Sequence, residues 1–576
     1  MDKNISPKAA FDKLFAILNL EKKDITNLYI FAVVSGLISL SLPLGIQAII
    51  TYLFAGEVSS SVVILIFFIL FGVLVSGFLT YLTMLITERI RQKLFTRYSL
   101  QIAERMPKID LHHADKYYLP ELTNRFFDVA SLQKSLTKVL LELPGGSLQI
   151  LFGLLLLSVY HQIFIVFNAF IIAILIFYFR QTFNRGFETS MQESNYKYEL
   201  AHWMEDIATN IRTVKLGTSP DYVIQKTDNL LLKFLTVRKE HFKILVKQFG
   251  GLVFFKLMTI ATLLLAGTFL FLNQEINLGQ LVASEIIIVT LINSVEKLFS
   301  LFETLYQLLT SFEKVHKLTD LKAERQGNLV LEGQNLPASL SLQEVAFNFA
   351  DTEESGLKNL KVEIKAGERI CIIGAEGSGK SSLLKVLSGA YQLKSGKLLF
   401  NQIPYNNYDL SSLRQRFGVL LSDTEIFNAT IIENILLGDK SISTDVLVKE
   451  CDEIGLLPYI QKQPLGFETV LESGGNQLPR GARVKLLLLR VMLHNPSLFL
   501  AEDYWGGLPI ADQNKICEYM FSETHKFTMI IATHDISFAK KCDKIILMDE
   551  GRIVDIGSFE NIQQSAVFKR TYAQTK

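Results

Sequence analysis

The sequence predicts an all-α bundle of six membrane-spanning helices followed by an α/β domain with a helical subdomain. Three observations predict it. Of 576 residues, 49% are hydrophobic and only 20% charged, with 41 Phe against 2 Trp; a mean hydropathy of +0.28 excludes disorder and argues against an ordinary soluble chain. The apolar residues concentrate before about residue 320, in runs of membrane-spanning length. From about 325 the texture changes: Gly327, Asn328, Gly333, Asn335 and Pro337 punctuate the chain, and short β-type runs then mix with helical ones, as a soluble α/β domain requires.

The first part divides into an N-terminal segment, 1–27, and a membrane domain, 28–320. The apolar runs are 28–53, 61–86, 139–160, 163–179, 250–272 and 279–301. Most reach the ~20 residues that cross about 30 Å of hydrocarbon as helix, the fourth being the shortest. The first 27 residues are mixed and charged, so no cleavable signal peptide is expected. The connections at 54–60, 160–162 and 273–277 hold no Lys or Arg. The segments 87–138 and 180–248 are basic, with Arg89, Arg91, Lys93, Arg97, Arg212, Lys215, Arg238 and Lys239. By the positive-inside rule both termini face the cytoplasm, which predicts a multi-pass protein of a cell membrane. Helical periodicity continues through 88–106 and 188–210, so the membrane helices extend beyond the bilayer as a stalk. Turn formers close each stalk at 115–120 and 217–221.

Net charge is +1, which leaves no electrostatic case for nucleic acid. Cys371, Cys451, Cys517 and Cys542 are scattered in the C-terminal part, outside any CxxC or His/Cys cluster. This excludes a disulfide framework or zinc site and suits a reducing cytosol.

The second part reads as a linker, 321–338, and an α/β domain, 339–576. A β-type run at 369–373 ends in Gly374, Ala375, Glu376, Gly377, Ser378, Gly379, Lys380 and Ser381, with a helical pattern from Ser382 onward. This is GxxxxGK[ST] between strand and helix. The glycines let the backbone wrap a phosphate, and the N–H groups and helix N-terminus attract the anion. Lys380 adds a mobile positive charge, and the Ser381 hydroxyl is a ligand for Mg²⁺.

A six-span membrane half joined to a phosphate-loop domain resembles an ABC transporter half-unit of the type I exporter kind. The segment from Arg416 through Glu425, Phe427 and Thr430 to Asn434 resembles the stretch linking the family's nucleotide site to its membrane domain. Gly466 to Thr469 and Ile531 to Asp535 resemble the regions before the signature helix and around the switch histidine. Asn210 to Lys215 resembles the entry to the second coupling helix. The resemblance implies ATP and Mg²⁺ as cofactors, adenine stacking on Phe349 and γ-phosphate contact from His534. It also implies a second half-transporter, because two nucleotide domains close head to tail on ATP.

The departures from the family pattern carry equal information. Its coupling Gln is Ser422 here, a candidate metal position. Its LSGGQ signature is Leu478, Pro479, Arg480, Gly481 and Ala482: Pro479 removes a hydroxyl and an N–H together, while Arg480 either restores charge pairing with phosphate or is solvated. Glu502 stands where the family binds Mg²⁺, and Asp503 where it has the Glu that polarises water. A base displaced by about 1 Å loses about 10²-fold in rate. The following loop, Gly506 to Pro509, lacks the family's cross-dimer Asp. Nucleotide binding is therefore expected intact and hydrolysis impaired.

Three readings stay open at this stage: a heterodimeric exporter subunit, a slow homodimeric exporter, and a membrane-anchored ATP sensor or assembly factor. The spans resemble peptide and protein exporters more than lipid flippases. The N-terminal segment is short for a leader-processing protease domain, so processing is not expected. Glu142, Lys256, Glu285 and Glu296 are ionisable residues in or near the spans. Lys256 and Glu142 are expected to pair with each other or to snorkel, and Glu285 to line a pathway.

Overall fold

The computed structural model describes residues 11–12, 14–15, 18–54, 60–116, 119–217, 219–333, 335–349 and 356–572. The expectations for 1–10, for the outer loop at 55–59, and for Tyr117, Tyr118, Thr218 and Gln334 within predicted turns and linker lie outside the described residues. The chain forms two units: Met1–Pro107 with Tyr117–Leu321, and Lys108–Lys116 with Lys322–Lys576.

Among the described residues, the first unit holds six helical spans long and apolar enough to cross a membrane. The first is two helices, α1 (Lys22–Ser39) and α2 (Ser41–Phe54), broken at Leu40. The others are α3 (Ser60–Arg105), α4 (Phe127–Tyr160), α5 (Gln162–Thr209), α6 (Pro220–Leu272) and α7 (Leu278–Thr319). Helix is the solution because lipid offers no partner to backbone N–H and C=O groups. At about 1.5 Å per residue, the 46 residues of α3 exceed the bilayer core about twofold, so this helix continues past the membrane as its charged C-terminal half predicts. Val63, Phe67, Phe68 and Leu74 on α3 are exposed, the pattern of a lipid-facing surface. Tight connections follow from local capping. His161 alone separates α4 from α5, its Nδ1 accepting from Ile163 N at 3.2 Å. Asn277 and Gln280 form a capping box that starts α7.

Helix α7 packs along α4, and α6 along α5. Tyr306 of α7 is fully buried and lies against Gly186 of α5, where any Cβ would overlap its ring; its hydroxyl accepts from Gln248 Nε2 at 2.8 Å. The charged residues of the spans correct one expectation. Lys256 pairs with Glu296 rather than with Glu142. The reason is topological: α6 and α7 form an antiparallel hairpin that brings those two side chains level, whereas Glu142 sits on α4. Glu285 is exposed on α7.

The second unit is built on three sheets. Strands β1 (Leu340–Asn348), β2 (Gly356–Ile364), β4 (Ser395–Phe400) and β5 (Ile403–Pro404) form an antiparallel sheet of order β2-β1-β4-β5. A six-stranded sheet of order β12-β11-β3-β10-β9-β6 carries the core. Its members are β3 (Arg369–Gly374), β6 (Phe417–Leu420), β9 (Leu498–Glu502), β10 (Thr528–Ala532), β11 (Lys544–Asp549) and β12 (Arg552–Gly557). Only the β11–β12 pair is antiparallel. The inner strands read as continuous apolar runs because both faces are covered; all five residues of β10 are buried. β7 (Ala429–Thr430) and β8 (Val470–Leu471) form a small separate pair.

Three helices matter for the site: α8 (Lys380–Leu387), α9 (Ile431–Leu436) and α10 (Arg480–Met492). The last two belong, with helices Thr444–Glu453 and Leu457–Gln461, to a helical subdomain sharing one apolar core. The described residues from Lys322 onward belong to this unit. Glu324 forms a two-pronged ion pair with Arg414, at 2.8 and 2.6 Å, and Leu329 N donates to Asn407 O at 3.0 Å.

Candidate functional site

Parallel strands β3, β10, β9 and β6 all end at one edge of the large sheet. Ile372 of β3 lies level with Ala532 of β10, and Ala532 with Glu502 of β9. The residues just beyond these ends therefore converge, and such an edge is where open α/β sheets bind ligands.

β3 delivers the glycine-rich loop. Gly374 has φ +156 and abuts β11 so closely that a Cβ would fall 2.3 Å from Met548 O. Gly379, at φ 98, turns the chain into α8, so Lys380, Ser381 and Ser382 occupy the first turn of that helix. The Lys380 ammonium donates to Gly374 O at 2.9 Å and Ala375 O at 2.8 Å, with Ser378 Oγ at 3.5 Å. Burial lowers its pKa, opposed by the charges of Glu376 and Glu502. Ser378 is buried, whereas Glu376 and Gly377 are exposed. A loop of backbone N–H groups ending on a helix N-terminus beside a lysine is built to hold phosphate.

β9 and β6 supply the carboxylates and their supports. Glu502 Oε2 accepts from Ser422 N at 2.8 Å, while its Oε1 is buried with no hydrogen-bond partner. An orphaned carboxylate oxygen, with the Ser381 hydroxyl opening α8, fits a hard cation such as Mg²⁺, which takes one or two protein oxygens plus substrate phosphate. Ser422 meets Glu502 through its main-chain N–H; its carbonyl accepts from Tyr504 Oη at 2.9 Å.

Asp503 is held from two sides. Its Oδ1 accepts from Gly506 N at 2.7 Å and its Oδ2 from Thr533 Oγ1 at 2.6 Å. Gly506 is required by closeness: a Cβ there would meet Asp503 Oδ2 at 2.8 Å. The same peptide reaches α10, because Arg480 Nη2 donates to Gly506 O at 3.3 Å. Arg480 thus spends its contact on the turn after Asp503, with Pro479 as N-cap and Gly481 following it in the first turn of α10. His534 follows Thr533; burial lowers its pKa and the charge of Lys380 adds to that, while Asp503 and Glu376 oppose. The ring is neutral at pH 7 and able to donate or accept one hydrogen bond.

Phe349 lies just past β1 and meets Phe347 and Tyr391 edge-on, with centroids at 4.9 and 5.6 Å. Tyr391 is the aromatic partner that sequence reasoning overlooked. Gly506 was read only as part of a loop lacking an Asp, and Thr533 only as part of the Ile531 to Asp535 motif. A further omission is Arg490 of α10. It is buried and donates to Asn434 O (2.7 Å), Glu425 O (2.9 Å) and Asn434 Oδ1 (3.0 Å). Those bonds tie α10 to the 425–434 segment.

The family model described as ABC transporter matches residues 357–503, and the model described as ABC transporter transmembrane region matches 25–295. The lactococcin-G-processing and transport ATP-binding protein LagD of Lactococcus lactis subsp. lactis is 24% identical over 516 residues, 88% of this chain and 72% of that protein. A putative multidrug export ATP-binding/permease protein of Bacillus subtilis, YgaD, is 26% identical over 298 residues; there the alignment spans 52% of this chain and about half, 51%, of the relative. In fold, the chain superposes on a bacterial Atm1-family ABC exporter solved with ATP bound, with TM-score 0.85, 17% identity, and coverage of 96% of this chain and 98% of that one.

Proposed function

The chain belongs to the ABC transporters, with an N-terminal transmembrane exporter domain and a C-terminal ATP-binding domain, and from that premise we propose that it is one half of a dimeric exporter that binds ATP fully and hydrolyses it weakly. Gly374 to Ser382 wrap the phosphates, Phe349 stacks on adenine, and His534 addresses the γ-phosphate. Ser381 and Glu502 would hold Mg²⁺, with Ser422 beside Glu502, and the ion would supply charge neutralisation to the bound phosphates. Lys380, displaced from the loop carbonyls, moves its charge onto the γ-phosphate. Arg480 and Gly481 face the nucleotide of the partner subunit, in which case Arg480 must release Gly506 on closure. The protein sits in the bacterial cell membrane with both termini and the ATP-binding domain in the cytoplasm.

What supports weak hydrolysis is the state of Asp503. Both of its oxygens are engaged by Gly506 and Thr533, and its side chain is one methylene shorter than the family's base. A carboxylate so held is poorly placed to orient water. Because a homodimer would carry this defect and the Pro479 signature in both composite sites, we assign the chain to a heterodimer with a more regular half-transporter. Similarity to LagD, a processing and transport protein named for lactococcin G, favours peptide or protein cargo.

The test is purification of the chain alone and with its native partner, followed by ATP binding and vanadate-sensitive turnover in each. Binding by both, with turnover only in the pair, is the expected result. Turnover by the chain alone would make it a slow homodimer, and binding without turnover or flux in either preparation would make it a sensor. Lys380→Ala abolishes binding if the phosphate loop is the site.

A further inference from the structure

A cavity of about 400 Å³ lies among α1, α2, α3, α4 and α7, at the break in the first span. Its polar lining is Ser39, Ser41, Ser76, Thr80, Gln149 and Thr290, and none of its lining residues is charged. Its volume falls within the ~300–1,000 Å³ of small-molecule sites.

The break itself exposes an acceptor. Pro43 has no N–H to return to the carbonyl of Ser39, four residues earlier, so that carbonyl leaves the helical ladder inside the membrane unit. Both residues line the cavity. Irregular backbone at such depth is tolerated where it is buried in protein or lines a cavity. Three hydroxyls reinforce the bias. Ser39 Oγ donates to Gly36 O (2.7 Å), Thr80 Oγ1 to Ser76 O (3.0 Å) and Thr290 Oγ1 to Ile286 O (2.8 Å). Each hydrogen is committed to its own helix, so each oxygen keeps only lone pairs to offer. Gln149 has its carboxamide oxygen taken by Ser294 Oγ at 2.8 Å, which leaves its NH₂ as a donor of the wall beside the hydroxyls of Ser41 and Ser76, the latter sharing a 2.9 Å hydrogen bond with Ser35 Oγ.

We infer that this cavity is a substrate subsite for an uncharged, amide-rich stretch of peptide. Its wall carries more acceptors than donors, which suits the N–H and C=O groups of an amide and excludes a purely apolar ligand. It offers no carboxylate, and an unpaired ammonium at the middle of the spans would keep a desolvation penalty. Backbone amides with Gly, Ser, Asn or Gln side chains meet both conditions. The inference rests on the peptide-export reading above and adds the chemical class recognised within the membrane.

The membrane half contains no cysteine, the free cysteines being Cys371, Cys451, Cys517 and Cys542. Ser76→Cys therefore places a unique thiol at the cavity. The purified complex in proteoliposomes is treated with N-ethylmaleimide, and the adduct at position 76 is followed by peptide mass spectrometry. N-acetyl-Gly-Asn-Gly-amide should slow alkylation about fivefold at four times its Kd. The Lys and Glu versions of the same peptide should leave the rate unchanged, and Gln149→Leu in the Ser76→Cys background should abolish protection. No protection by the neutral peptide, or equal protection by the lysine peptide, overturns the subsite. Export is read separately, as an ATP-dependent change in alkylation rate at position 76. A subsite failure with that change present leaves the exporter standing; protection without it supports the subsite and counts against ATP-driven export.

Discussion

Replacing Asp503 with Glu should raise ATP turnover of the partnered complex. In the wild-type chain the carboxylate is short and tethered, with Gly506 N at 2.7 Å and Thr533 Oγ1 at 2.6 Å. One added methylene carries the carboxylate onward by about 1.5 Å, the length of a C–C bond. A misplacement of 1 Å is worth about 10²-fold in rate, or about 2.7 kcal/mol of barrier. The full gain requires the longer carboxylate to leave both donors, and a hydrogen bond to a charged group is worth ~1.5–3 kcal/mol. The opposing quantities are of similar size, so Asp503→Glu alone should give a partial rise, about tenfold. Adding Thr533→Val, which removes one donor, should bring the gain towards about 10²-fold. The assay is phosphate release at saturating Mg-ATP, with nucleotide binding measured in parallel. Unchanged turnover in both variants, with binding intact, would refute the account of Asp503 as a short and tethered base.

Three further outcomes follow from other parts of the molecule. Arg490→Met leaves the acceptors of Asn434 and Glu425 unmatched in the interior and should remove about 3 kcal/mol, a fall of ~6–12 °C in the unfolding transition of the ATP-binding unit by calorimetry; a fall under 2 °C would show that the network carries little. For Lys256 and Glu296, a double-mutant cycle with Lys256→Met and Glu296→Leu should give a coupling of at least about 0.6 kcal/mol, the double change costing less than the sum of the two single ones; strict additivity would dissolve the pair. Burial lowers the pKa of His525, whose Nε2 is buried without a partner. As pH falls below the ordinary 6.5, the unfolded chain takes up a proton that the folded one refuses. Stability should therefore decline with a slope approaching ~1.4 kcal/mol per pH unit until the lowered folded value is reached. His525→Phe should flatten that slope, and an unchanged pH profile would count against it.

Much of the fold was legible because two strong physical signals act locally. Long apolar runs leave few choices in lipid, and the GxxxxGK[ST] spacing works only between a strand and a helix. The site was legible where a motif is contiguous: Gly374 to Ser382, Glu502 with Asp503, and His534. It was not legible where residues far apart in the chain share one hydrogen bond. Nothing in the neighbourhood of Asp503 announces Thr533, and nothing near Arg490 names Asn434.

The amino-acid order by itself determined the six spans, their long extensions, the glycine-rich loop and the Glu502–Asp503 pair at the end of a strand, since each depends on composition or spacing within a few turns of chain. Tertiary structure alone decided that Asp503 is gripped from two sides, that Arg480 rests on Gly506, that Lys256 faces Glu296 and not Glu142, and that Ser39 and Pro43 open onto a neutral cavity. Those facts are set by which strand lies beside which and how an antiparallel helix pair comes level. Such register emerges only when the whole core packs.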